Sequence, residues 1–112
     1  MIISLPVPPS ANKMYLKGRI KSPAYRAWEK DAGWCLKGRQ PITGPVKITI
    51  TCPHNGQRDQ DNHIKPTYDL LVLHNLIDSD RCACVREGHQ YWAAKDSEQS
   101  RHKLLTVEVV AA

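Results

Sequence analysis

Residues 46–52 read V-K-I-T-I-T-C, so Val46, Ile48, Ile50 and Cys52 alternate with Lys47, Thr49 and Thr51. Side chains on a strand point alternately to opposite faces, which makes this a half-buried strand with one apolar side. That side has to be covered, and two segments carry a helical apolar stripe able to do it. In the first, Ser22 is placed to act as N-cap and Pro23 to occupy the first helical position. Ala24, Trp28, Ala32, Cys35 and Leu36 follow at helical spacing, Gly38 can end the helix, and Arg26, Lys30 and Lys37 take the opposite face. Trp28 and Trp34 are expected to pack in the core rather than to stack on nucleobases. In the second segment Ile64, Tyr68, Leu71 and Val72 form the stripe, and Pro66 is tolerable only in the first turn.

The remaining segments supply more sheet. Ile2–Val7 is a short apolar strand ended by Pro8-Pro9, because proline cannot donate to a ladder and restricts the residue before it. Cys82–Trp92 reads as a strand interrupted near Gly88, and Leu105, Val107 and Val109 define a last strand. Pro8–Lys21 is expected to be a loop, with polar turns at Pro53–Gln57 and Lys95–Arg101. The order β-α-β-α-β-β predicts one α+β domain over residues 1–112, with two helices packed on a mixed sheet.

No run of residues approaches the ~18 apolar positions a membrane span needs. The start, Met1-Ile2-Ile3-Ser4-Leu5-Pro6, lacks the pattern of a secretory signal, so the expectation is a soluble, cytoplasmic protein. The net charge of +5 is concentrated: residues 1–40 hold eight Lys/Arg against Glu29 and Asp31. Ser10, Asn12, Lys13, Lys17, Arg19 and Lys21 crowd the first loop. A loop of that length with four cations suits phosphate contacts, although a solvated basic face would have the same composition. Cys35, Cys52, Cys82 and Cys84 are expected to be reduced. Cys82-x-Cys84 with His89 lacks the usual gap between paired zinc ligands, so a zinc-stabilised nucleic-acid module is the lesser reading.

The segment from Arg58 to Arg81, RDQDNHIKPTYDLLVLHNLIDSDR, is the chemically informative one. Asp59 and Asp61 are two apart, so on an extended chain both carboxylates share a side, and the crowded charge calls for a cation or protons. Mg²⁺ or Mn²⁺ suits such oxygen donors. Asp61, Lys65 and Asp69 form one helical column, which is either a salt-bridge ladder or a lysine reaching from beside a metal site. Asp78 and Asp80 come one helix later, in a turn that can return to the same end of the sheet. Carboxylate-held metals with a nearby lysine are suited to phosphodiester hydrolysis, which must stabilise charge on the phosphoryl and leaving oxygens.

These strings resemble the RusA family of Holliday junction resolvases over nearly the whole chain. Leu5-Pro6-Val7-Pro8-Pro9-Ser10-Ala11-Asn12 is similar to the family's LPxPPSxN start. Residues 58–66 resemble its DxDNxxKP core, Asp69-Leu70-Leu71 its following D-x-L, and residues 77–81 its acidic turn. The resemblance implies that Asp59, Asp61 and Asp80 bind metal and that Lys65 is the catalytic lysine; Arg58 joins the first-loop residues as a candidate for holding DNA. The resemblance further implies a homodimer, often phage or prophage encoded, that makes paired symmetric nicks in four-way junctions with Mg²⁺ or Mn²⁺. Ser79 stands where the family usually has the first of two adjacent aspartates, leaving Asp78 as an alternative third ligand. A junction-binding protein without cleavage is the remaining alternative.

Overall fold

The computed structural model describes residues 1–56, 58 and 61–112, and only the backbone of Ala11, Asp61 and Asn62. Among the described residues the chain runs β1 (Ile2–Pro6), α1 (Ala11–Met14), α2 (Pro23–Leu36), β2 (Val46–Cys52), α3 (Asp61–Leu73), β3 (Val85–Trp92), α4 (Glu98–Arg101) and β4 (Leu104–Ala111). The strands form one mixed sheet in the order β1-β4-β2-β3, with β2 and β3 parallel and the other pairs antiparallel. This is an α+β fold, as the element order implies. No described helix is long and apolar enough to cross a membrane.

The alternation in β2 does what it predicts. Val46, Ile48, Ile50 and Cys52 are buried, and they line up with Ile3 and Leu5 of β1 and Leu105, Val107 and Val109 of β4. Each such side chain contributes roughly 1.5–3 kcal/mol of burial. Tyr25, Trp28, Ala32 and Leu36 of α2, Leu70 and Leu71 of α3, and Met14, Leu76 and Ile77 belong to the same core. Ser22 caps α2 by accepting a hydrogen bond from the Tyr25 amide at 3.1 Å, while the Trp28 indole donates to the Pro6 carbonyl at 2.8 Å. Gly38, at φ +79°, adopts the left-handed conformation that ends such helices.

Several expectations need correction. The loop at Pro8–Lys21 contains α1, which buries Met14, and a small antiparallel bridge between Tyr15 and Lys21. The polar turn at Lys95–Arg101 contains α4, capped by Ser97, which accepts from the Ser100 amide at 3.1 Å. Four-residue helices bury too few residues to produce a periodic signal. Counting these, four helices rather than two accompany the sheet among the described residues. Pro66 is the sixth residue of α3 rather than part of its first turn, so the helix lacks one bond to the Asn62 carbonyl. Trp34 is exposed, unlike Trp28, because it falls outside the buried stripe of α2.

The third strand also differs from expectation. It begins at Val85 and runs unbroken through Gly88; the irregularity lies earlier, where the register opposite Val46 and Lys47 skips Arg86. Gly88 gives room to a side chain from α3. A Cβ there would lie 2.7 Å from the Tyr68 hydroxyl, so the end of that tyrosine reaches over this edge strand.

The core includes one polar ring without a partner. His63, on the stripe it shares with Thr67, Leu70 and Leu71, is 1% exposed, and neither ring nitrogen has a hydrogen-bond partner. It meets Trp92 edge-on with centroids 5.9 Å apart. Burial, then the charge of Arg58, pushes its pKa from 6.5 to about 4. The folded protein thus holds the ring neutral, and its stabilising effect is complete above the unfolded value and is lost as pH falls from 6.5 toward 4, by roughly 3 kcal/mol in all. His63→Leu should therefore lose less Tm than the parent between pH 7 and pH 5, because an apolar group of similar size leaves no donor or acceptor unmet. Equal losses in the two proteins would assign the acid lability to another group.

Candidate functional site

The chain leaves β2 at Cys52, whose thiol burial pushes up to about 11, and enters the acidic segment. Asp59 lies outside the described residues, and Asp61 is described by its backbone alone, as the first residue of α3. The expectation that Asp59 and Asp61 share a side therefore lies outside the described residues. Lys65 follows Asp61 by one helical turn, about 6 Å along the axis.

Lys65 joins two parts of the chain. Its Nζ donates to Asp80 Oδ2 at 2.8 Å and lies 2.9 Å from Asp69 Oδ1. The contact to Asp69 is the expected rung four residues along the helix. Asp80 is fifteen residues away, in the turn before β3. That return has identifiable causes. The helix ends at Leu73, and Asn75, at φ 59°, reverses the chain in a conformation asparagine tolerates. The Leu76 amide then donates to the Leu71 carbonyl at 2.9 Å, and Leu76 and Ile77 are buried.

The acidic turn divides its side chains between two tasks. Asp78 Oδ2 accepts from the Gly44 amide at 3.0 Å, which ties this turn to the loop ahead of β2. Ser79 Oγ accepts from the Arg81 amide at 3.1 Å and closes the turn locally. Asp80 is the carboxylate that meets Lys65.

Electrostatics favour the charged form of both members of that pair. Its hydrogen bond to Asp80, then that to Asp69, holds the Lys65 ammonium above the usual lysine range. The Lys65 hydrogen bond in turn holds the Asp80 carboxyl below its ordinary value. Tyr68 is pushed up by burial and then by Asp80. The Lys65 side chain is 67% exposed, and such surface pairs contribute about 1 kcal/mol at most, so stability is a weak reason for the arrangement. Lys65 is thus a retained positive charge rather than a proton acceptor.

Among the described residues, no group of three His, Cys, Asp or Glu side chains stands close enough together to hold a metal. This covers Cys82, Cys84 and His89, whereas the side chains of Asp59 and Asp61 fall outside that set. Asp80 offers an ionised oxygen donor of the hard type that Mg²⁺ and Mn²⁺ prefer.

The residues expected to hold DNA separate into two groups. Leu16 N–H donates to the Ile20 carbonyl at 2.7 Å and Gly18 turns at φ +68°, so Lys17 and Arg19 stand exposed at the tip of a small hairpin. Asn12 and Lys13 are exposed on α1, and Ser10 occupies its N-cap position without a side-chain cap. Lys21 is engaged within the fold, 2.8 Å from Glu29 and 5.2 Å above the Tyr25 ring. Arg58 is engaged too, its Nη2 donating to the Pro8 carbonyl at 3.1 Å. Its Nε is buried without a partner, and with His63, His54 and Lys103 it lines a cavity of about 380 Å³. The buried His63 is absent from the sequence-based candidates, although its place on the stripe of Thr67, Leu70 and Leu71 was a signal for it.

No protein-family model matches the chain, and a search of curated proteins finds no match.

Lys65→Met should return the Asp80 carboxyl toward its ordinary value while changing unfolding free energy by about 1 kcal/mol or less. Carbon-detected NMR titration of the side-chain carboxyls reads this directly. An Asp80 that titrates identically in parent and variant would mean that the pair does not form in solution.

Proposed function

We propose that this protein is a RusA-type endonuclease that cuts four-way DNA junctions as a homodimer with Mg²⁺ or Mn²⁺. The observation that carries the reading is the bond from Lys65 to Asp80, because it ties the acidic turn to the helix whose first residue is Asp61. The two chain segments that hold the proposed metal ligands are thereby joined through the proposed catalytic amine.

In this reading Asp59, Asp61 and Asp80 hold the divalent ion. When bound, the ion supplies Lewis-acid stabilisation of the charge that develops during phosphodiester hydrolysis. Asp80 is ionised at neutral pH and ready to donate an oxygen without first losing a proton. Lys65 neutralises that carboxylate in the free enzyme. With DNA present, it transfers its contact to a non-bridging oxygen of the scissile phosphate and keeps its proton throughout. Asp69 remains as the second partner that positions the amine. Lys17 and Arg19, projecting at the hairpin tip, hold backbone phosphates, whereas Lys21 is fixed by Glu29 and supports the hairpin base. A junction has two-fold symmetry and one site cuts one strand, so paired nicks call for two copies.

Asp61→Asn should abolish Mg²⁺-dependent nicking of a four-way junction and leave junction binding within about threefold, since the basic surface is untouched. Nicking by Asp61→Asn at the parental rate would sink the proposed site. Replacing Lys17 and Arg19 together by glutamine should weaken binding to every DNA and reduce the slope of log affinity against log salt by about 2. A parental slope would give the hairpin some other task.

A further inference from the structure

A second basic surface lies where the C-terminal half of α2 meets the end of α3. Lys30, Gly33, Trp34, Lys37, Arg39 and His74 line a groove of about 540 Å³. Its centre is Trp34, 63% exposed, with Lys37 Nζ 4.5 Å from its ring centroid. The groove is shaped by a close approach: a Cβ on Gly33 would lie 3.0 Å from His74 Cε1 and Nε2, so the imidazole is seated against α2. The acidic residue lining this groove, Glu29, is already paired with Lys21. Lys37 lies over one side of the indole; the surface left exposed loses hydration only when something planar or apolar covers it, and a wall of cations selects a polyanion over an apolar peptide. A nucleobase with its flanking phosphates satisfies both requirements, because stacking on an aromatic ring is sequence-tolerant and lysine and arginine track the backbone. His74 lies nine residues beyond Lys65, just past the end of α3, so the groove opens at the opposite end of that helix from Asp61.

We propose that this groove holds an unpaired nucleotide of single-stranded DNA, its base on Trp34 and its phosphates on Lys30 and Arg39. The proposal deepens the endonuclease reading, on which it rests for the choice of nucleic acid as the polyanion. It gives the protein a means of sensing unpaired bases beside the strand it cuts.

The test is titration of the protein, in EDTA, with a short oligothymidylate and with a duplex of equal length, following tryptophan fluorescence and anisotropy of labelled DNA. Expected are fluorescence quenching by the single strand, about tenfold weaker single-strand binding by Trp34→Ala, and near-parental binding by Trp34→Phe. Lys30→Gln and Arg39→Gln should each lower the salt slope by about 0.7. Parental affinity of Trp34→Ala for the single strand would overturn the proposal, as would an equal loss for duplex. A Trp34→Ala effect confined to oligomeric mass would also overturn it, giving the groove to a second copy of the chain. Junction nicking with Mg²⁺, assayed on the same proteins, separates the two readings. A parent that binds the single strand through Trp34 but never nicks upholds the groove and overturns the endonuclease.

Discussion

Parallel pairing of β2 with β3 sets the terms for everything chemical in this molecule. Two parallel neighbours cannot be joined by a tight turn, so the chain must travel back across the sheet before the second strand can begin. Residues 53–84 make that journey, and they contain Arg58, His63, Lys65, Asp69, Asp78 and Asp80. The crossover is therefore both the structural necessity and the chemical segment. Its helix is held at three places: by the buried pair Leu70 and Leu71, by Tyr68 over Gly88, and by His63 against Trp92. Lys65 is carried on a support that packing fixes, although the side chain itself stands in solvent.

Charge then does locally what burial does globally. The Lys65 ammonium between Asp69 and Asp80 adds little to folding free energy, yet it lowers the pKa of the carboxylate opposite it. The division between Asp78 and Asp80 has the same logic. The former gives its oxygen to a backbone amide and fixes the turn, leaving the latter to face the helix. One short turn thus supplies both an anchor and a charge.

The sheet was legible to the extent that its strands alternate. The buried positions of β2 and β4 follow directly from their patterns, and α2 begins at Ser22 and Pro23 as its residues require. β3 was harder to read because it is an edge strand exposed over most of its length, so burial imposes no alternation on it. The two four-residue helices escaped because a single turn leaves no repeat to detect. Trp34 escaped for the opposite reason: an aromatic near an apolar stripe is ordinarily core, and only its angular position on α2 decides otherwise. Within the site, the Lys65–Asp69 rung was visible as four-residue spacing, whereas the reach to Asp80 depends on how Asn75 turns the chain, which no local pattern encodes. The contacts of Lys21 with Glu29 and of Arg58 with the Pro8 carbonyl were hidden likewise, since composition records a cation without its partners.

The bare backbone at Gly88 has a consequence for the geometry of the whole crossover. Because the Tyr68 hydroxyl occupies the space a methyl group would fill, any side chain at position 88 would push that ring aside. Three residues before that tyrosine, the same helix carries Lys65, so the backbone that bears the amine belongs to the element whose tyrosine that bare position admits.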